Sequence, residues 1–269
     1  MTANVLVDST TMLRRSLRRM RRYPSLTLFI AGIPVVLMLI FVYVFGGTLG
    51  AGLGGVAAAT AAGDRAAYIA YVVPGILLVG VAGAGQGTAI SVAMDMTQGI
   101  IARFRTMAIA RSSVLAGHVL GSVLQTVLAT VIVLVVAVLI GFRPAADPLG
   151  WLGAGGLLAL TAVAVSCLSV ALGLAANSVE TASNSPMFLT LLPFLSSGFV
   201  PTESMPGPLA WFAEHQPFTP ITETLRGLLM GTPVYGTAPV AVAWCVVIAA
   251  LGFAWAVRLY ERLPERPGA

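Results

Sequence analysis

Side chains able to do chemistry are scarce in this sequence, and their placement limits what the chain can do. It has 269 residues, of which 58% are hydrophobic and 9% charged. All fifteen basic residues are arginine. A phosphate-binding P-loop needs a lysine on the nucleotide, so a chain without lysine carries no standard one. Any ATP that drives it is hydrolysed on another polypeptide. His118 is the one side chain inside the long apolar runs whose ordinary pKa lies near neutral pH, and near the end of its run it reads as a packing or interfacial residue rather than a relay. These runs contain no Asp, Glu or Arg, whereas a proton-driven carrier keeps a carboxylate at membrane depth. No catalytic dyad or metal-ligand cluster emerges there, which leaves the catalytic and metal assignments empty. Cys167 and Cys245 sit in mid-run and read as small buried hydrophobes.

The elements that must position these residues are membrane helices. A soluble domain of this size has about 25% charged residues, far above the 9% here. Six runs are near the roughly 20 residues needed to cross about 30 Å of hydrocarbon: 25–45, 68–93, 114–142, 151–176, 182–200 and 239–257. The predicted fold is an all-α integral membrane protein with six transmembrane helices. Its divisions are a basic N-terminal helix over 1–24, a membrane domain over 25–259 and a tail over 260–269. Pro34, Pro74 and Pro193 mark candidate kinks. The pairs Gly83 with Gly87 and Gly117 with Gly121 have the spacing that lets helices approach closely. Gln86, Gln125 and Asn177 are the polar candidates for a substrate path, and their competing role is hydrogen bonding between helices.

Two basic segments flank these runs. Arg14, Arg15, Arg18, Arg19, Arg21 and Arg22 alternate with Leu13, Leu17 and Met20 on one face. This pattern predicts an amphipathic helix on the cytoplasmic leaflet, attracted by anionic lipid at about 1 kcal/mol per arginine. The apolar run that follows exceeds a secretory-signal core of about 7–15 residues. The second segment is a polar island over 94–112, holding Asp95, Arg103, Arg105 and Arg111. Within it Ile100, Ile101, Phe104 and Met107 or Ala108 recur at helical spacing, which predicts a short amphipathic helix too basic to span a bilayer. A solvated loop is the alternative. With the N-terminus inside, twelve arginines fall in inner segments and only Arg65, Arg143 and Arg226 in outer ones. That asymmetry places both termini and the island in the cytoplasm.

The loop over 201–237 is more structured than a simple connection. Pro208 can open a short helix through Leu209, Trp211 and Phe212. Thr219 and Pro220 read as an N-cap and first-turn pair, and Gly231 as a stop. Between them Ile221, Leu225, Leu228 and Leu229 make an apolar stripe, with Glu223 and Arg226 paired on the polar side. Two such helices predict a hairpin dipping into the outer leaflet.

At this point the chain resembles a known family, the type-2 permeases of ATP-binding-cassette exporters in the daunorubicin-resistance (drug and antibiotic efflux) branch. The resemblance rests on Phe194 to Pro201 (FLSSGFVP), Met205 with Pro206, Pro217 to Gly231 (PFTPITETLRGLLMG) and Gln98 to Gly117 (QGIIARFRTMAIARSSVLAG), and it spans nearly the whole chain. Ala108 departs from the proline that relatives often carry there. The resemblance implies a homodimeric or paired permease with two copies of a separate ATPase subunit, which holds ATP and magnesium. It implies that the region of Gly99, Ile100, Arg103, Phe104, Arg105, Ile109 and Arg111 is the coupling helix seated in that ATPase, with the N-terminal helix leaning on it. Pro201, Pro206, Pro217, Pro220, Glu223, Leu225, Arg226 and Gly231 belong to its outer hairpin.

The reading that follows is a permease subunit in a bacterial plasma membrane, not itself an enzyme, with an amphipathic drug, antibiotic or lipid as substrate and no nucleic-acid partner. A pathway without charged groups suits an apolar cargo. An ion-gradient-driven carrier, or a membrane scaffold or sensor docking another soluble protein, is the alternative. The arginine asymmetry makes a direct prediction. Single cysteines at Ala62 and Ala145 react with an impermeant thiol reagent from outside intact cells, and one at Ser112 reacts only after the membrane is opened. Outside labelling at Ser112 would invert the topology.

Overall fold

The computed structural model describes residues 24–46, 64–99 and 111–262, and every regular element among them is helical. In hydrocarbon each backbone N–H and C=O needs a partner within the protein, and a helix supplies nearly all of them inside one segment. Helix α1 spans Pro24–Ile40 and continues as a π-helical turn over Phe41–Phe45. The long helices α2 (Asp64–Thr97), α3 (Arg111–Leu139) and α4 (Pro148–Ala175) follow. Two short helices, α5 (Val179–Asn184) and α6 (Met187–Leu191), lead into a hairpin of α7 (Gly207–His215) and α8 (Phe218–Met230). Helix α9 (Thr237–Arg262) closes the described chain. Helices α2, α3, α4 and α9 are long and apolar enough to cross a membrane, and the chain is a multi-pass membrane protein.

Helix α2 is the centre of the packing. Its apolar window is 83% buried, against 22% for those of α3 and α9. Tyr68, Val72, Val73, Ile76, Leu77 and Leu78 are enclosed almost completely. A helix surrounded by protein needs no polar face, and α2 is apolar on all sides over this stretch. Helix α4 joins it and α9 by backbone approach. A Cβ at Gly173 would lie 2.6 Å from the Ala89 carbonyl oxygen of α2, and one at Gly252 of α9 would lie 2.7 Å from the Leu168 amide nitrogen of α4. Gly83, singled out by its spacing, has nothing within 4 Å, and Gly87 meets only the tip of Ile30 at 3.9 Å. Spacing identifies a smooth helix face without saying whether a neighbour lies against it.

The span expected over 182–200 is not one helix. Ser178 caps α5 by accepting from the Thr181 N–H at 3.1 Å. Pro186 follows α5, and Pro193 falls in a 3-10 turn over Leu192–Leu195. Each proline removes a backbone donor and crowds the preceding turn. Ser196 then folds the chain back, since its hydroxyl donates to the Pro193 carbonyl and accepts from the Gly198 N–H at 3.1 Å. Phe199 packs on Phe194 and on Phe41 of the π turn, with ring centroids 4.9 Å apart in both pairs.

Helix ends elsewhere follow local rules. Asp147 caps α4 by accepting from the Gly150 N–H at 2.7 Å. Arg143 donates to the Val138 carbonyl at 2.7 Å, at the end of α3. Gly231 stops α8 at φ 69°, a left-handed conformation that glycine adopts without strain. Thr219, expected as the N-cap of α8, lies inside it instead. The helix begins at Phe218 with Pro217 in the cap position.

The packing predicts a contrast between two glycines. Gly252→Val drives a branched side chain into the α4 backbone and lowers stability by about 1–3 kcal/mol. Gly156→Ala, at a position with open space around it, is neutral or slightly stabilising. Thermal unfolding of the purified protein in detergent measures both.

Candidate functional site

The contacts divide the molecule into two ends. The Ala145 N–H donates to the Leu229 carbonyl at 3.0 Å, so the turn between α3 and α4 shares one end with the hairpin. This is the outer end in the arginine assignment. At the opposite, inner end α2 stops and α3 starts, and this is where the coupling residues were expected. Ile100, Arg103, Phe104, Arg105 and Ile109 lie outside the described residues, as do Arg14, Arg15, Arg18, Arg19, Arg21 and Arg22. Gly99 ends the α2 turn at φ 69°, and Arg111 opens α3. Helix α2 reaches past the expected boundary to Thr97, so Asp95 stands inside a long helix. It is 6% exposed, and one of its carboxylate oxygens lies 3.4 Å from His118 Nε2 of α3. Asp95 lies beyond the expected span over 68–93 yet within the same helix: the apolar run ends at Ala93, but the helix does not.

The outer end has its most developed polar site at Arg226. The expectation put this residue with Glu223 on a solvated face. Its guanidinium instead turns inward, donating to the Tyr71 carbonyl of α2 at 3.1 Å and to the Ser197 carbonyl at 2.8 Å. It also lies over the Tyr71 ring, 4.0 Å from the centroid. Tyr71 is three residues before Pro74, in the turn that the proline's missing N–H interrupts. Burial pushes the Arg226 pKa below its ordinary value, and Tyr71 and Glu223 push it back up. The neighbouring stripe is buried as expected at Ile221, Leu225 and Leu229, while Leu228 is half-buried. Gln216 Nε2 adds a bond to the Leu192 carbonyl at 3.0 Å. Gly75 of α2 touches Gly198 so closely that a Cβ on it would lie 2.9 Å from the Gly198 Cα. The arrangement fastens α8 to α2 and to the turn after α6.

Gln86, Gln125 and Asn177 lie on three different parts of the chain: α2, α3 and the turn after α4. Gln86 donates to the Ser183 carbonyl at 2.8 Å, tying α2 to α5, which is the interhelical role. Gln125 is on α3 with its Nε2 buried. Asn177 is outside the helices, exposed in the turn between α4 and α5. A different polar group lies in the core. Ser166 of α4 donates to Ser122 Oγ of α3 at 2.9 Å, and Ser122 shares a short hydrogen bond with Thr88 of α2. Isolated Ser and Thr residues in apolar runs carry no sequence signal that they will meet, so this seam was not foreseen.

Residues 9–230 match the family model described as ABC-2 type transporter. The chain is 27% identical over 231 residues to a daunorubicin resistance ABC transporter permease protein of Streptomyces coeruleorubidus, covering 86% of this chain and 77% of that one. It is 28% identical over 168 residues to a probable doxorubicin resistance ABC transporter permease protein of Mycobacterium tuberculosis, covering 60% of each.

The geometry at Arg226 predicts an unequal response of two neighbouring charges. Arg226→Leu removes buried hydrogen bonds to the Tyr71 and Ser197 carbonyls and lowers stability by about 1–3 kcal/mol. Arg226→Lys does not restore it, because an ammonium cannot reproduce the planar fork. Glu223→Gln changes stability by less than about 0.5 kcal/mol. Leu225→Asp, at a fully buried position, lowers it by several kcal/mol. Thermal unfolding and expression level report all four. Equal losses from Glu223→Gln and Arg226→Leu would restore the surface pair.

Proposed function

The chain belongs to the ABC-2 type transporter family, and we propose that it is the membrane-spanning permease subunit of an ATP-driven exporter. Its cargo is an amphipathic compound, a drug, antibiotic or lipid, carried out of a bacterial cell across the plasma membrane. The observation that carries this reading is the similarity across 86% of the chain to a permease protein whose name assigns it to daunorubicin resistance. The absence of lysine agrees with it, because ATP and magnesium then sit on a separate ATPase subunit. Two ATPase copies and a second copy of this chain complete the transporter.

In this reading the chain crosses the membrane six times. α1 with its π turn, α2, α3, α4, the broken α5–α6 segment and α9 alternate in direction, leaving both termini in the cytoplasm. Energy enters through the segment framed by Gly99 and Arg111, whose Ile100, Arg103, Phe104, Arg105 and Ile109 meet the ATPase. The arginine-rich helix before α1 leans on the same partner. The α7–α8 hairpin caps the exit, held by Arg226. Asp95 does not reinstate a proton-driven carrier, since it stands in the last turn of α2 and not at mid-depth.

Phe104 is the one aromatic in the segment, and truncating a buried interface aromatic often costs about 2 kcal/mol or more. Phe104→Ala therefore leaves insertion and expression intact, weakens co-purification of the ATPase and abolishes ATP-dependent export from vesicles. Arg105→Glu has the same outcome by charge reversal, and added salt eases it less than it would a rim contact. Arg111→Lys is mild. Normal export by Phe104→Ala with the ATPase still bound would move the coupling role to the N-terminal helix.

A further inference from the structure

The inner end holds a charge that the proposed transport role does not by itself require. Asp95 on the last turn of α2 and His118 on the second turn of α3 face each other across the base of the 98–110 segment, Oδ2 to Nε2 at 3.4 Å. Their side chains are 8% and 17% exposed. They stand beside an apolar cluster that includes Val92 of α2, Leu115 and Val119 of α3, Val170 and Leu174 of α4 and Tyr260 of α9. A buried polar pair is poor support for stability, since apolar packing of the same volume does as well or better. What it adds is direction. A close polar contact between two short side chains, here 3.4 Å, favours one rotation and register of one helix on another, whereas apolar contacts tolerate slippage. α2, α4 and α9 already form one body through the close approaches at Gly173 and Gly252. His118 joins the foot of α3, and with it the second end of the segment, to that body.

We infer that Asp95 and His118 form a strap that makes both ends of the 98–110 segment move as one unit, and that they are positioning residues for energy transfer. The second half of this inference rests on the permease reading above. Motion is transmitted only through groups that stay packed through the cycle. Without the strap, the segment still binds its ATPase, but its displacement is absorbed by slippage between α2 and α3.

The test has an arm that needs no ATPase. Spin labels at Thr97→Cys and Leu120→Cys, both exposed, are placed in a protein with Cys167 and Cys245 replaced by alanine. Electron-electron distance measurement in lipid nanodiscs is expected to give one narrow distribution, which broadens in His118→Ala and narrows again in the exchanged pair Asp95→His with His118→Asp. If His118→Ala fails to accumulate, Asp95→Asn is measured in its place and is expected to broaden the distribution. An unchanged distribution in the single variant, or an exchange no narrower than the singles, overturns the strap. In proteoliposomes with the ATPase, His118→Ala is expected to keep normal association while export per ATP hydrolysed falls about tenfold, with recovery in the exchange. Unchanged export per ATP would overturn the energy-transfer role alone. If the distances respond as expected but even the wild-type chain binds no ATPase, the strap stands and the permease reading falls.

Discussion

Every feature of this structure answers to one constraint: in hydrocarbon, a backbone N–H or C=O without a partner costs several kcal/mol. Uninterrupted helices satisfy it alone, as α3, α4 and α9 do along their length, while α2 carries Pro74 inside it. Interruptions are where polar side chains arrive. Arg226 donates to the Tyr71 carbonyl beside Pro74 and to the Ser197 carbonyl in the turn after α6. Gln216 donates to the Leu192 carbonyl next to Pro193, and Gln86 to the Ser183 carbonyl just before Pro186. Ser196 serves its own turn. These side chains gather near the prolines, whereas the Ser166, Ser122 and Thr88 seam joins three helices away from any.

The same constraint separates a rigid middle from two articulated ends. Backbone approaches at Gly173 and Gly252 leave no room for side chains to rearrange between α2, α4 and α9, and close-packed interiors transmit displacement rather than absorb it. At the outer end α8 is attached to this body through a fork of directed bonds from Arg226. At the inner end α3 is attached through Leu115, Val119 and His118. Directed polar contacts at both ends and close packing between them suit a body that moves as a unit while its termini engage different surroundings.

Membership of the ABC-2 type transporter family gives this mechanical arrangement its context. The described residues bring together hydrogen bonds and packing, not reacting groups. Function in the proposed transport cycle rests on where displacement enters and where it leaves. For the proposed exporter these are the 98–111 segment and the hairpin, and α2 is the element that touches both.

Residue order alone determined the class of the protein and much of its outline. Long apolar runs have one stable form in a bilayer, so four helices long and apolar enough to cross it, the end of α8 at Gly231 and the burial of Leu225 were legible from local periodicity and punctuation. The resemblance carried by FLSSGFVP and PFTPITETLRGLLMG pointed to the family because those residues build the outer junction, which no local rule describes. Tertiary structure alone decided the direction of each polar side chain. Arg226 has the same i, i+3 spacing from Glu223 whether it faces water or the core, and only the approach of α2 and of the turn at Ser197 gave its guanidinium inward acceptors. Asp95 and His118 are 23 positions apart, and the polarity of each says nothing about the other. Ser122, Thr88 and Ser166 likewise meet only because three helices cross at one level. Local sequence records what a segment prefers, while a hydrogen bond between helices depends on two segments whose relative placement no local preference contains.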